Sequence, residues 1–304
     1  MYSTSIREAL QRAASFLHRQ GIASARREAE LILVFLLEKG LAYLYTHGEK
    51  ELPPDLAARY EEMLLRRGED VPFAYLTGEK EFMGLPFRVN EAVLIPRPET
   101  EHLVETVCQW GREILTGAAA DRSQPLYILD LGTGCGNIAV ALAYYMPEAF
   151  VLGVDKSAAA LELARQNALE NGVDDRVEFF CGDFQGFFVQ NERRFRVVVS
   201  NPPYIPRSEL PFLPPAVQKE PGLALDGGED GLDAYRTIFS YVQKALLAPG
   251  LLALEVGESQ AASVLALGRR AGFKEARTVQ DLAGRERVAV FQTRGCPGAG
   301  RKSG

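Results

Sequence analysis

Apolar residues recur at three- and four-residue intervals through Ile6, Leu10, Ala13, Ala14 and Leu17, and again from Ala29 through Leu33, Phe35, Leu36 and Leu37. That spacing places them on one face of a helix. A third helix is predicted to start after Pro53-Pro54 and run through Leu56, Tyr60, Met63 and Leu64 to Gly68, since proline suits a first helical turn and glycine a helix exit. Residues 1–78 therefore read as a small helical domain. From Glu79 to Ile95 the pattern shortens to strand-like pieces, EKEFMG, LPFRVN and AVLIP, broken by Gly84, Pro86 and Asn90. This is the pattern of a hairpin, expected to act as a linker over 79–98.

From residue 99 helix and strand alternate. A helix through Leu103, Val104 and Val107 precedes a strand at Leu126 to Leu131, a helix at Asn137 to Tyr145, a strand at Phe150 to Asp155 and a helix at Ala158 to Asn171. Strands follow at Val177 to Cys181 and Val197 to Ser200, then a helix at Leu232 to Leu247, a strand at Leu251 to Val256 and a helix at Gln260 to Ala271. Two closing strands, Phe273 to Val279 and Val288 to Gln292, flank the turn-rich DLAGRE. Alternating βα units with near-continuous apolar strands predict an α/β fold, a doubly wound and mainly parallel Rossmann-like sheet over 99–294. The glycine-rich, basic stretch 295–304 is expected to be a disordered tail.

Composition narrows the class. With 304 residues, 47% of them apolar and 24% charged, the chain can build one large or two medium soluble domains. Cys108, Cys135, Cys181 and Cys296 lack the paired spacing of zinc sites and suggest no disulfide framework, so no metal is expected and the expected compartment is a reducing cytoplasm. The first thirty residues carry Arg7, Glu8, Arg12, Arg26, Arg27, Glu28 and Glu30 in place of an apolar signal core. No run approaches the ~20 apolar residues of a membrane span, so no membrane partner is expected. A net charge of −6 provides no overall basic field, which disfavours nucleic acid as a partner.

The candidate chemistry begins where strand Tyr127 to Leu131 runs into Gly132-Thr133-Gly134-Cys135-Gly136 and then a helix. Ligands bind at the carboxyl edge of such a sheet. Glycines let the backbone approach a ligand, and the helix N-terminus offers N–H groups to a carboxylate. The spacing is GxGxG, whereas a dinucleotide fingerprint is GxGxxG, which counts against a dehydrogenase. Asp155 ends the next strand about twenty residues on, where a carboxylate can accept from both hydroxyls of a ribose. The competing reading makes the glycines a tight turn and Asp155 a cap for the helix near Ser157; two signals in register favour the cofactor. Asp183-Phe184 follows the third strand in the same way, as an acceptor for an adenine amino group and a ring to pack on its face. An Asp at a strand end is also a common helix cap.

Strand Val197 to Ser200 delivers Asn201-Pro202-Pro203-Tyr204 to the same edge. Proline removes the backbone N–H and fixes φ, so this loop is stiff and offers mainly acceptors. The Asn201 side-chain oxygen and the Pro202 carbonyl together suit both hydrogens of a planar NH₂ group, with Asn201 bordering the cofactor as well. Two fixed acceptors would draw electron density onto an amide or aniline-like nitrogen, otherwise a poor nucleophile, and aim its lone pair at a sulfonium methyl group. Tyr204 suits stacking on the planar substrate. The plainer alternative is a proline turn that ends a strand.

PFAYLTGEKEF, GLPFRVN, VLIPRPETE, LDLGTGCGNIAVALA, VSNPPYIP, EPGLALDGGEDGLDAYR and DLAGRERV occur in order along the chain. Together they resemble the HemK/PrmC family, the peptide chain release factor glutamine methyltransferases. The resemblance implies a class I S-adenosylmethionine-dependent methyltransferase sheet, S-adenosyl-L-methionine as cofactor, and methylation of the glutamine side chain in the GGQ motif of class I release factors. It also implies that the N-terminal helical domain helps position this protein substrate. Carried over by residue, the cofactor loop falls on Gly132 to Gly136, the ribose carboxylate on Asp155, the adenine-side aromatic on Phe184 and the substrate motif on Asn201 to Tyr204. Cys135 stands where serine is frequent in the family. Ile95 to Thr100 resembles the family's loop over the cofactor pocket, and its charges equally suit a cap for the following helix.

Three alternatives have distinct signatures. An adenine amino-methyltransferase acting on DNA or RNA needs a basic channel, yet the 207–230 stretch carries Glu209, Glu220, Asp226, Glu229 and Asp230 against Arg207 and Lys219. A non-catalytic binding protein on the same fold should show damage in the glycine loop or in NPPY, and neither shows it. A nicotinamide dehydrogenase fails on glycine spacing and has only His18, His47 and His102 to choose from.

Overall fold

The computed structural model describes residues 4–116 and 125–293. The chain divides into two compact units, Met1–Glu79 with Pro214–Lys219, and Lys80–Leu213 with Glu220–Gly304. The first unit contains α1 (Ile6–Arg19), α2 (Ala25–Leu37), α3 (Leu41–Thr46), α4 (Pro54–Gly68) and α5 (Phe73–Thr77). Ser5 and Glu8 form a reciprocal capping box that starts α1, and Pro54 occupies the first turn of α4. The apolar stripes of α1, α2 and α4 meet in one core around Leu17, Ile32, Leu33 and Leu64. Tyr60 donates from that core to the Ala29 carbonyl at 2.9 Å. α3 and α5 are too short to show a helical period in sequence.

The second unit opens with a hairpin of β1 (Glu79–Phe82) and β2 (Leu85–Arg88). Its turn needs left-handed backbone at Met83 and Gly84, φ 53° and 71°. The Met83 N–H donates to Glu101 Oε1 at 2.8 Å, and its carbonyl accepts from the Tyr145 hydroxyl. The stretch expected as a linker thus contributes Phe82, Leu85 and Phe87 to the core beneath the large sheet.

A 3-10 turn at Pro98–Thr100 leads into α6 (Glu101–Thr116), then β3 (Leu126–Leu131), α7 (Asn137–Tyr145), β4 (Ala149–Asp155), α8 (Ala158–Glu170) and β5 (Val177–Cys181). Next come α9 (Phe184–Gln190), β6 (Phe195–Ser200), a 3-10 turn at Leu210–Phe212, α10 (Pro215–Gln218), which groups with the first unit, and α11 (Gly222–Leu225). α12 (Asp233–Ala245), β7 (Leu246–Glu255), α13 (Ala261–Arg270), β8 (Glu275–Gln280) and β9 (Glu286–Thr293) complete the described chain. The tail expected at 295–304 lies outside the described residues.

The sheet has seven strands in the order β5-β4-β3-β6-β7-β9-β8, with β9 antiparallel to both neighbours. Successive residues of its strands alternate between two cores. Ile128, Val197 and Val199 face α6 and α7, whereas Leu129, Leu131 and Val198 face α12 and α13. Burial on both sides is why these strands are continuous apolar runs in sequence. The chain builds outward from β3 through β4 to β5, then returns to place β6 on the other side of β3. The carboxyl ends of β3 and β6 therefore flank a topological switch point, where a crevice opens.

Asn167 of α8 holds one wall of that region in register. It is fully buried, accepts from the Arg88 N–H at 2.7 Å, and donates to the carbonyls of Arg88 at 3.1 Å and Cys135 at 2.8 Å. Asn167→Ala strands these backbone groups, so a loss of about 2–4 kcal/mol in urea-unfolding stability is expected. A change below about 0.5 kcal/mol would mean that the hairpin and glycine loop hold their places without it.

Candidate active site

Ser200 closes β6 by donating its hydroxyl to the Leu131 carbonyl at the end of β3, 2.6 Å away. The two loops that carry the predicted chemistry therefore leave the sheet side by side. In the first, Gly132, Gly134 and Gly136 have φ of 75°, 55° and 81°, a left-handed path that side chains with a Cβ rarely take. The N–H groups of Gly132 and Thr133 both donate to the Val154 carbonyl, at 2.8 and 3.0 Å, which folds the loop over β4. Asp155 at the end of β4 accepts from the Gly134 N–H on Oδ2 and from the Ser157 N–H on Oδ1, each at 2.9 Å. Its carboxylate is thus aimed by two backbone donors, and each oxygen keeps a further lone pair for a ligand.

A cavity of about 390 Å³ opens here. Gly132, Gly134, Asp155, Asp183, Phe184 and Asn201 line it, with Pro203 beyond them. Thr133, Cys135 and Gly136 are absent from the lining. Thr133 turns inward and donates to Asp130 Oδ2 at 2.6 Å, Cys135 is buried beneath the loop, and Gly136 lies against Ala164 of α8. Burial pushes the Cys135 thiol up to about 12, which leaves it a neutral filler. Asp183 takes the cap role among its alternatives, its Oδ1 accepting from the Gly186 N–H of α9 at 2.6 Å, and it faces the cavity as well. The Phe184 ring edge packs beside Gly132.

Asp130 was not singled out from sequence. It is fully buried, and burial pushes its carboxyl up to about 7 against hydrogen bonds from Thr133 and the Ala139 N–H. A carboxyl group of the chain itself therefore reaches the first turn of α7, the place that the sequence offered to a ligand carboxylate. Asp130 Oδ1 has no partner in the structure.

In the second loop, Asn201 Nδ2 donates to Thr100 Oγ1 at 3.1 Å. Pro202 is buried and Pro203 half-buried. Tyr204 packs against the α12 and α13 core, outside the cavity lining, and burial pushes its phenol up to about 12, with Glu255 adding to the effect. Its carbonyl accepts from Gln260 Nε2 at 2.8 Å. The glycines of GGEDG brace this loop from behind. A Cβ on Gly227 would lie 2.8 Å from the Tyr204 backbone, and one on Gly231 would strike the Tyr204 carbonyl and Gln260. Ile205 hydrogen-bonds the Leu225 carbonyl and Gly227 N–H, at 3.0 and 2.9 Å, in a short parallel bridge.

The segment before α6 is tied to the same place. Buried Glu220 accepts from the Ile95 N–H at 3.0 Å and pairs with Arg97. This joins the stretch around Ile95 to the one around Pro221, and Val93, Leu94, Pro221 and Leu223 form the outer wall of the cavity. The charged residues of RPETE are thus divided: Arg97 latches this wall, and Glu101 holds the hairpin turn.

The strand order and the crevice define a Rossmann-like methyltransferase fold. A solved methyltransferase from Pyrococcus furiosus shares it with a TM-score of 0.51 over 71% of this chain and 92% of that one, at 17% identity. Residues 8–78 match the family model described as the PrmC N-terminal domain, and residues 111–210 the methyltransferase small domain. The release factor glutamine methyltransferase of Moorella thermoacetica is 41% identical over 95% of this chain and 99% of its own length. That of Geobacter sulfurreducens is 40% identical over 93% and 95%. The chain belongs to the release factor glutamine methyltransferase family.

Proposed function

We propose that the chain transfers a methyl group from S-adenosylmethionine to the side-chain amide nitrogen of the glutamine in the GGQ motif of class I release factors. The crevice between β3 and β6 is the reaction site. The observation that carries this reading is the Asn201 amide. Its NH₂ is tied back to Thr100, which leaves its oxygen as the group to offer a substrate.

The residues present fit the cofactor. Asp155 suits the ribose hydroxyls, the backbone at Gly132 and Gly134 lies open to the cavity, and Asp183 with Phe184 suits an adenine ring. A volume of about 390 Å³ is in the range of small-molecule sites. When bound, S-adenosylmethionine supplies an electrophilic methyl group on a sulfonium centre. The chain's own residues do the rest: Asn201 Oδ1 and the Pro202 carbonyl accept the two hydrogens of the substrate NH₂, orienting its nitrogen and favouring the positive charge that develops there. Tyr204, kept neutral by burial, packs beside the substrate amide. The first unit, with its own core, docks the protein substrate; its match to the PrmC N-terminal model supports that role. No helix among the described residues is long and apolar enough to cross a membrane, and the reading puts the chain in the cytoplasm with its substrate.

Incubation with S-adenosylmethionine and a class I release factor, followed by mass spectrometry of the GGQ-containing peptide, is expected to show one added methyl on glutamine. A DNA duplex run in parallel should stay unmethylated. Transfer to the duplex and not to the release factor would move the assignment to adenine amino-group chemistry.

A further inference from the structure

Behind Asn201 runs a row of buried polar groups, of which the chemistry above uses only the first, Thr100, as the acceptor that ties back the Asn201 NH₂. Thr100, which accepts from Asn201 Nδ2 at 3.1 Å, is 1% exposed, and Glu255 is 3% exposed. The Thr100 hydroxyl is placed to donate to the Glu255 carboxyl and lowers its pKa, and Glu255 Oε2 is buried with no hydrogen-bond partner. Thr100 ends the 3-10 turn before α6, and Glu255 ends β7, the strand beside the one that delivers Asn201.

The difficulty these groups meet is one of direction. An asparagine amide is nearly symmetric in shape, so a half-turn about χ2 exchanges oxygen for NH₂ at no cost in volume. In the flipped state two donors would face the donors of a substrate NH₂. A hydroxyl neighbour does not decide between the two states, because it can donate or accept. An ionised carboxylate does decide, since it only accepts. It takes the Thr100 proton, and the remaining lone pairs on Thr100 Oγ1 can pair only with the NH₂ side of Asn201.

Resting on the function proposed above, we propose that Thr100 and Glu255 are positioning residues for methyl transfer: Glu255 fixes the Thr100 hydroxyl as an acceptor toward Asn201, and Thr100 thereby holds the Asn201 oxygen toward the substrate amide. The arrangement depends on the charge of Glu255. Burial pushes that carboxyl up to about 7, Glu99 pushes it further, and the Thr100 hydrogen bond with Arg287 and Arg97 pulls it down. The neighbouring phenols of Tyr204 and Tyr235 are raised by burial and stay neutral in this range. Once protonated, Glu255 donates to Thr100, the Thr100 hydrogen turns toward Asn201, and the amide loses its fixed direction. The positioned state is therefore present above this pKa and is lost as pH falls through it.

The test uses full-length Thr100→Val, Thr100→Ser and Glu255→Gln with a class I release factor as substrate. Thr100→Val keeps the shape and removes the hydroxyl, so kcat should fall on the order of 10–100-fold, the scale on which outer-shell partners act at other sites. KM for S-adenosylmethionine should not change. Thr100→Ser should restore most of the rate, and Glu255→Gln, which keeps an acceptor that does not titrate, should lose the acid limb of the pH profile. A wild-type rate in Thr100→Val, equal losses in the Val and Ser variants, or a loss of cofactor affinity along with kcat would each overturn the proposal. A measurement without substrate separates it from the functional reading. The ¹⁵N side-chain amide signal of Asn201, assigned by its absence in Asn201→Asp, should exchange with water more slowly in wild type and Thr100→Ser than in Thr100→Val. Equal exchange in all three would refute the positioning role even if another substrate replaced the release factor.

Discussion

Asn201→Ala is expected to lower the rate of methyl transfer to a release factor on the order of 10²–10³-fold, while the chain stays folded and binds S-adenosylmethionine nearly as before. The size follows from what one preorganised hydrogen-bond partner contributes to a developing charge, about 2.7–4 kcal/mol. Folding should survive because Asn201 is only half-buried and its amide makes a single hydrogen bond, to Thr100. Asn201→Asp is impaired as well, since it loses the donor to Thr100 and adds a negative charge beside the sulfonium. Initial rates with labelled cofactor, read alongside calorimetric cofactor affinity, check both. Full activity of Asn201→Ala would keep the substrate and discard the mechanism.

The second large effect is expected at Asp155. Removing the carboxylate deletes its charge-assisted hydrogen bonding to the ribose, a net loss of about 1.5–3 kcal/mol, so cofactor affinity should weaken roughly 10- to 150-fold in Asp155→Ala. The loss includes a local contribution, because the Gly134 and Ser157 N–H groups lose their acceptor and the glycine loop slackens. At saturating cofactor kcat should change far less than affinity does. Unchanged affinity by calorimetry in a folded variant would remove Asp155 from the cofactor site.

The central part of the sheet was readable because its cause is local. β3, α7 and β5 begin and end at the residues that the apolar pattern indicates, and for β3 the reason is that a strand buried on both faces must be a continuous apolar run. β7 starts at Leu246 in place of the expected Leu251, because Ala248-Pro249-Gly250 reads as a turn. α9 escaped notice: FQGFFVQ is aromatic and carries a glycine, a composition that favours strands over helices. Within the cavity lining, Gly132, Gly134, Asp155 and Asn201 could be singled out from sequence because each lies at or just past the carboxyl end of a strand. Thr100, Glu220 and Asn167 could not, since their partners lie 101, 125 and 79 positions away and no local pattern marks such a pairing. Thr100 lies inside RPETE, so the signal that it mattered was present, but its partner was not. Asp183 shows the limit of the method, for the same carboxylate caps α9 and faces the cavity.

The glycines behind the NPPY loop bear on how far this sequence can drift. Tyr204 is supported there by bare backbone, where any added carbon at 227 or 231 meets the loop itself. Exposed Glu229, between them in the chain, is under no such restriction. The GGEDG stretch therefore encodes its message in what it leaves out: Gly227 and Gly231 are held bare by the Tyr204 backbone, and Gly228 by Asp233 and its left-handed φ of 91°. A substitution as small as one methyl group at buried Gly227 or Gly231 therefore acts on the NPPY loop directly.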